Sequence, residues 1–139
     1  MGEATLEGLT GKPVLTDQFG GQPDYIPHIT LSQKWADLLL VYPASANCIN
    51  RLACGLSGDL FGAIFLANNF GKPVWIAPAM NSDMFAHPAV KESLVKLEKW
   101  GCRILPTETG RMACGTVGPG KLLEPDTVFG EIEKWLAES

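Results

Sequence analysis

Three short apolar runs, each bounded by turn-forming residues, confine this chain to a narrow set of folds. Leu38-Leu39-Leu40-Val41-Tyr42 lies between Asp37 and Pro43, and Val74-Trp75-Ile76-Ala77 between Pro73 and Pro78. Cys102-Arg103-Ile104-Leu105 lies between Gly101 and Pro106. Runs this short, with apolar side chains at successive rather than alternate positions, are expected of strands covered on both faces. We therefore expect parallel strands near 38–42, 73–77 and 102–105.

The stretches between them read as helices. Ser57 is a candidate cap for a helix running to about Asn69, with Leu60, Phe61, Ile64 and Phe65 deeply buried. Residues 88–100 repeat apolar side chains at Val90, Leu94 and Leu97, with Glu92 and Lys96 paired outside. Pro88 suits the first turn of that helix and Gly101 its end. Asp126 is the expected cap of a last helix with Val128, Ile132, Trp135 and Leu136 on one face. This alternation predicts an α/β fold, a parallel sheet with helices on both faces. The first 27 or so residues offer only a short helical candidate around Thr5–Leu9. Three strands leave an unprotected sheet edge, so a further strand is expected upstream or from another chain.

With 139 residues, 46% hydrophobic and 19% charged, the chain is sized for one globular domain. A net charge of −4 argues against nucleic acid or an anionic membrane surface as partner, since both select basic patches. An anionic small molecule remains compatible, because a few backbone amides can hold a phosphate. No apolar run approaches a membrane span. Cys48, Cys54, Cys102 and Cys114 form no C-x-x-C pair, which points to a reducing cytoplasm.

Gly115 to Lys121 matches G-x-x-x-x-G-K, most of a P-loop, but Leu122 occupies the hydroxyl position and Pro125 soon follows. A Gly-rich surface loop is the expectation here. His28, His87 and the cysteines share no metal-ligand spacing, so no metal is expected. His87 before Pro88 reads as a helix-entry residue, and Cys48, Cys54 and Cys102 as small core residues. Cys114 differs, lying in a glycine-flanked segment near Arg111, where an exposed thiol can donate a proton. Pro43-Ala44-Ser45-Ala46-Asn47 and Pro78-Ala79-Met80-Asn81 fall at the carboxyl ends of the first two strands, where open α/β sheets bind ligands. Position alone leaves a binding role and an ordinary strand-to-helix turn equally open.

Taken together, these segments resemble the homo-oligomeric flavin-containing cysteine decarboxylases. His28-Ile29 precedes Trp35-Ala36-Asp37, P-A-S-A-N occupies 43–47 and P-A-M-N-x-x-M-F occupies 78–85. A-C-G-x-x-G-x-G occupies 113–120, with Glu124-Pro125 after it. The resemblance implies a Rossmann-like (flavodoxin-like) fold, a single flavoprotein domain over residues 1–139. It also implies a β-α-β unit with a Gly-Ser-Ile-type phosphate turn upstream of residue 1, so the domain is expected to be incomplete at its amino end. Assembly as trimers, or dodecamers of trimers, is implied, with FMN between subunits.

By the same resemblance, Ser45, Ala46, Asn47, Cys48 and Ala79 line FMN. His28 is the expected base, reaching across a subunit boundary, and Asn81 holds the substrate carboxylate, with Met80 and Met84 shaping the pocket. Arg111, Met112 and Ala113 belong to the segment over the substrate, and Cys114 is the expected final acid. The implied reaction is oxidative decarboxylation of the cysteine moiety of 4′-phospho-N-pantothenoylcysteine to 4′-phosphopantetheine, in coenzyme A synthesis. Oxidation to a thioaldehyde gives the departing carboxylate an electron sink, and the flavin carries that redox step. The A-C-G motif favours this branch over peptidyl-cysteine decarboxylases, which stop at the enethiol. A non-catalytic flavoprotein or regulatory subunit is the alternative from another class. Cys48 and Phe85 depart from the Thr and Trp usual in the family.

Overall fold

The computed structural model describes residues 2–19, 26–111, 115 and 117–138. The three apolar runs form β1 (Leu39–Ala44), β2 (Val74–Pro78) and β3 (Arg103–Ile104). They pair in the order β1-β2-β3, both ladders parallel, with Val41 opposite Ile76 and Ile76 opposite Ile104. β1 runs past its apolar segment to Ala44, and its ladder is irregular between Val41 and Ala44, where Pro43 has no N–H to offer. β3 is shorter than its run, yet Leu105 still donates its N–H to the Ile76 carbonyl at 2.8 Å.

Alternation along the strands divides the core into two layers. Leu39, Val41, Val74 and Ile76 pack with Ile49 and Leu52 of α3 (Ala46–Ala53), Ile64 and Phe65 of α4 (Leu60–Asn68), and Leu94 and Leu97 of α6 (Pro88–Lys99). On the opposite face, Trp75 and Ala77 pack with Leu105, Leu123 and Val128, the last from α7 (Pro125–Glu138). Trp75 meets Trp135 of α7 edge-on, with ring centroids 6.1 Å apart. The sheet is thus covered on both sides, which explains why β2 is buried along its whole length.

Several local details differ from expectation. Asp59, not Ser57, caps α4: its Oδ1 accepts the Gly62 N–H at 2.7 Å. A carboxylate is favoured there by the helix dipole, and Arg51 holds its other oxygen at 2.7 Å. Phe61 is only half-buried. α7 begins at Pro125, so Asp126 sits in its first turn, and Leu136 faces outward. His87 does enter α6, its Nδ1 accepting the Ala89 N–H, and Gly101 ends that turn at φ +94°. Cys102 is core, but Cys48 is half-buried and Cys54 exposed, since Cys54 caps the carboxyl end of α3 where the chain turns outward.

Near the amino end, α1 (Glu3–Thr10) matches the short helical candidate and has no buried residue. α2 (Pro27–Ile29) carries His28 and continues into a π-helical turn (Thr30–Trp35). Ser32, 1% exposed, returns its hydroxyl to the His28 carbonyl at 2.6 Å. The largest correction concerns the glycine-rich segment. β4 (Glu108–Arg111) and β5 (Val117–Lys121) form an antiparallel ribbon, with Gly110 opposite Gly118, in place of a surface loop.

Candidate functional site

The two loops singled out in the sequence meet at one edge of the sheet. Ala79 donates its N–H to the Ala44 carbonyl at 2.9 Å, prolonging the β1–β2 pairing into the loops themselves. Ser45 then caps α3, its Oγ accepting the Cys48 N–H at 3.2 Å. Ala44 and Ala46 are buried, whereas Ser45 and Asn47 are exposed. Small side chains at 44, 46 and 79 keep this edge low and let the backbone be approached closely.

Asn81 caps α5 (Ser82–Ala86): its Oδ1 accepts the Met84 N–H at 2.8 Å. That bond fixes which way the side-chain amide points, because only the oxygen can accept. The amide N–H2 is therefore the end left to meet an acceptor such as a carboxylate. Met80 is half-buried against the core, and Met84, further on in α5, is 46% exposed. Burial, and then the nearby Asp59 carboxylate, push the Cys48 thiol up, with Arg51 opposing. Cys48 is thus a neutral thiol at physiological pH.

The ribbon is fastened to this edge. Met80 donates its N–H to the Gly120 carbonyl at 3.0 Å, and Ser82 Oγ donates to the Pro119 carbonyl at 2.9 Å. At the ribbon's root, Lys121 Nζ reaches Glu108 and Glu124, each at 2.7 Å. Those hydrogen bonds hold the Glu108 carboxyl below its ordinary range and raise the Lys121 ammonium well above its own. Tyr42 of β1 donates its hydroxyl to the Leu123 carbonyl at 2.6 Å. Arg111 is exposed at the end of β4. Met112, Ala113 and Cys114 lie outside the described residues.

The structure therefore unites Ser45, Ala46, Asn47 and Cys48 with Ala79, Met80 and Asn81. His28 stands on separate elements, where α2 packs against α4 and the π-helical turn. Its Nδ1 is buried without a hydrogen-bond partner. Asn47 and Cys48 also border a small cavity with Arg51, Asp59 and Phe61, of about 100 Å³. Ligand clefts hold roughly 300–1,000 Å³, so this cavity by itself is too small to be one. Ser82 escaped the sequence reading, which took Gly118 and Gly120 as part of a P-loop likeness and of the A-C-G-x-x-G-x-G motif without giving either glycine a role. The Gly-Pro-Gly step at 118–120 was the available signal, since it marks a strand pressed closely against another backbone.

Residues 43–48 and 78–81 contain no charged side chain. Their hydroxyl, amides and backbone groups fit the edge of a neutral heteroaromatic ring, as the implied flavin requires. Parallel strands that present small-residue loops and uncharged donors at their carboxyl edge define a ligand-binding α/β domain of the mononucleotide type. The Flavoprotein family model matches residues 2–137, and the chain belongs to that family.

Among curated relatives, the coenzyme A biosynthesis bifunctional protein CoaBC of Bacillus subtilis is 46% identical over 136 residues, covering 96% of this chain and 32% of its own length. The phosphopantothenoylcysteine decarboxylase HAL3a of Glycine max is 37% identical over 109 residues, covering 78% of this chain and 51% of its own. The chain thus spans a third to a half of those relatives. A solved cysteine-to-serine mutant of PPC decarboxylase, complexed with pantothenoylaminoethenethiol, superposes with TM-score 0.81 at 32% identity, covering 90% of this chain and 70% of that one. The FMN binding protein AtHal3 superposes with TM-score 0.79, also at 32% identity.

Proposed function

We propose that this protein is an FMN-dependent decarboxylase of 4′-phospho-N-pantothenoylcysteine, forming 4′-phosphopantetheine for coenzyme A in the cytoplasm. The observation that carries the reading is the Ala79–Ala44 hydrogen bond, which sets the flavin-type loop beside the Asn81 turn. The names of the Bacillus and Glycine relatives support the substrate, as does the pantothenoyl enethiol held by the solved relative.

In this reading Ser45 to Cys48 and Ala79 hold the flavin, and their neutrality leaves its ring charge unperturbed. Bound FMN supplies the two-electron redox chemistry that no side chain can. Asn81 directs its amide N–H2 at the substrate carboxylate and holds it in line for loss of CO2. His28 takes the thiol proton, and Cys114 returns a proton to the enethiolate carbon. Met80 and Met84 shape the apolar part of the pocket, with Arg111, Met112 and Ala113 over the substrate.

The placement of His28 on elements apart from the Ser45 and Asn81 loops supports a homotrimer, or a dodecamer of trimers, in which a neighbour supplies His28. The test is incubation with the phosphorylated substrate, following CO2 and product by mass spectrometry, with the flavin of denatured protein identified by chromatography. FMN and 4′-phosphopantetheine are expected. CO2 released only from a peptide ending in cysteine would overturn the substrate assignment, and a flavin-bearing protein that releases none would point to a non-catalytic role.

A further inference from the structure

The G-x-x-x-x-G-K likeness at 115–121 is left without a purpose by the reaction above, and its neighbours in space supply one. Three consecutive residues of β5 lie against three consecutive residues of the Asn81 turn. Met80 N–H is bonded to the Gly120 carbonyl, and Ser82 Oγ to the Pro119 carbonyl. A Cβ at Gly118 would collide with Ser82 Oγ, and one at Gly120 with the Met80 carbonyl oxygen. Gly120 also has φ +112°, a backbone region that side chains disfavour. Both glycines are there so that the strand can approach the turn.

The two bonds bracket Asn81, one on each side of it. The side-chain oxygen of Asn81 is committed to the α5 cap, so the aim of its amide N–H2 depends on where the turn backbone sits. The 80–82 backbone is in turn fixed by β5, and β5 by the Lys121 bridges at its root. We infer that Ser82 is a positioning residue, which through its hydrogen bond to Pro119 holds Asn81 in the orientation that receives the substrate carboxylate. This inference rests on the decarboxylase reading and adds to it a residue and a use for the glycine pair.

The contact predicts a particular pattern of coupling. Ser82→Ala loses the bond and leaves the turn free to shift, whereas Ser82→Thr keeps a hydroxyl. Because Asn81 acts on the bound carboxylate, the loss falls on substrate affinity: Ser82→Ala is expected to raise KM about five- to tenfold, with kcat within about twofold, the scale of one hydrogen bond. Ser82→Thr is expected to restore the parental KM. Gly118→Ala inserts a methyl group where Ser82 Oγ lies, so its harm is expected to be smaller in a Ser82→Ala background than in the parent.

The experiment measures KM and kcat for the parent, both Ser82 variants, Gly118→Ala and the Ser82→Ala/Gly118→Ala pair. Thermal midpoints of the same proteins give the coupling between positions 82 and 118 without reference to activity. An unchanged KM for Ser82→Ala, a Ser82→Thr that fails to restore it, or strictly additive midpoints would each overturn the inference. An inactive parent would instead overturn the decarboxylase reading, while an active parent indifferent to Ser82→Ala would overturn this inference alone.

Discussion

Ala79 and Ala44 join the carboxyl ends of the two long parallel strands through an N–H···O bond of 2.9 Å. The bond lies one residue beyond the pairing of Ala44 with Pro78. It forces the chain after β1 and the chain after β2 to leave the sheet side by side. Every group placed at the site by α3 and α5 inherits its position from this junction.

Ala44 is fully buried at that junction, so its size is constrained from both faces. Ala44→Leu is expected to destabilise the fold by ~1–3 kcal/mol through overpacking. It should also lower flavin occupancy, because the Ser45 cap moves with it. Urea denaturation followed by tryptophan fluorescence reads the first effect as a lower midpoint at unchanged slope. The ratio of visible to ultraviolet absorbance reads the second.

Asn81 caps α5 with the oxygen of its amide and is proposed to meet the substrate with the N–H2, and two substitutions separate the two roles. Asn81→Asp keeps an oxygen to accept the Met84 N–H, and aspartate caps helices as well as asparagine does. It replaces the donor proposed to face the substrate carboxylate with a negative charge. Stability should hold, while CO2 release falls by roughly 10²–10³, the usual cost of losing an oriented donor. Asn81→Ala should lose the cap as well, at about 1 kcal/mol. If Asn81→Asp melts earlier but decarboxylates at the parental rate, the amide has no part in holding the substrate.

The ribbon's root should be sensitive to acid. Glu108 is depressed by its hydrogen bond from Lys121 and then by the backbone N–H of Glu124. A depressed carboxyl contributes stability above its unfolded pKa, and loses it as pH falls through the folded value. The contribution of this group is therefore complete at neutral pH and disappears below the ordinary carboxylate range. The partner Lys121 is raised, so its own share would be lost only at strongly alkaline pH. Glu108→Gln should flatten the fall of the thermal midpoint between neutral pH and pH 3, relative to the parent. Parallel curves for the two proteins would show that the bridge is energetically silent.

The strands were legible because nothing outside the sheet was needed to define them: Val74 to Ala77 is apolar on both faces and stopped by proline at each end. α6 was legible for the same reason, with Pro88, its apolar period and Gly101 all local signals. The α4 cap was not, because Ser57 and Asp59 both carry cap chemistry within three residues. The choice was made by Arg51, eight residues back from Asp59, which braces the carboxylate. The β4–β5 ribbon was hidden by its composition. Gly118, Pro119 and Gly120 have poor strand propensity, and their extended form is set by Met80 and Ser82, nearly forty residues earlier. The site motifs could be placed by family resemblance, but the amide orientation of Asn81 required the cap to be seen.

The proposed seam makes the strongest demand on the assembly. His28 sits on α2 and Asn81 at the head of α5. If His28 of one subunit serves the Asn81 site of the next, His28→Asn and Asn81→Asp should each cut CO2 release to a small residual rate, yet fail in different subunits' contributions. Mixing the two impaired proteins, with subunit exchange by mild denaturation and dilution, then creates some sites with an intact His28 from one variant and an intact Asn81 from the other. For random exchange about a quarter of the sites are whole, as expected when each site draws on two subunits of a cyclic oligomer. Recovered CO2 release near that fraction of the parental rate supports the shared site. A site built within one subunit contains one lesion or the other whatever the mixture, so activity would stay at background. Light scattering on the same mixtures checks that exchange produced oligomers of parental mass, and mixtures that reassemble fully without regaining activity rule out the shared site.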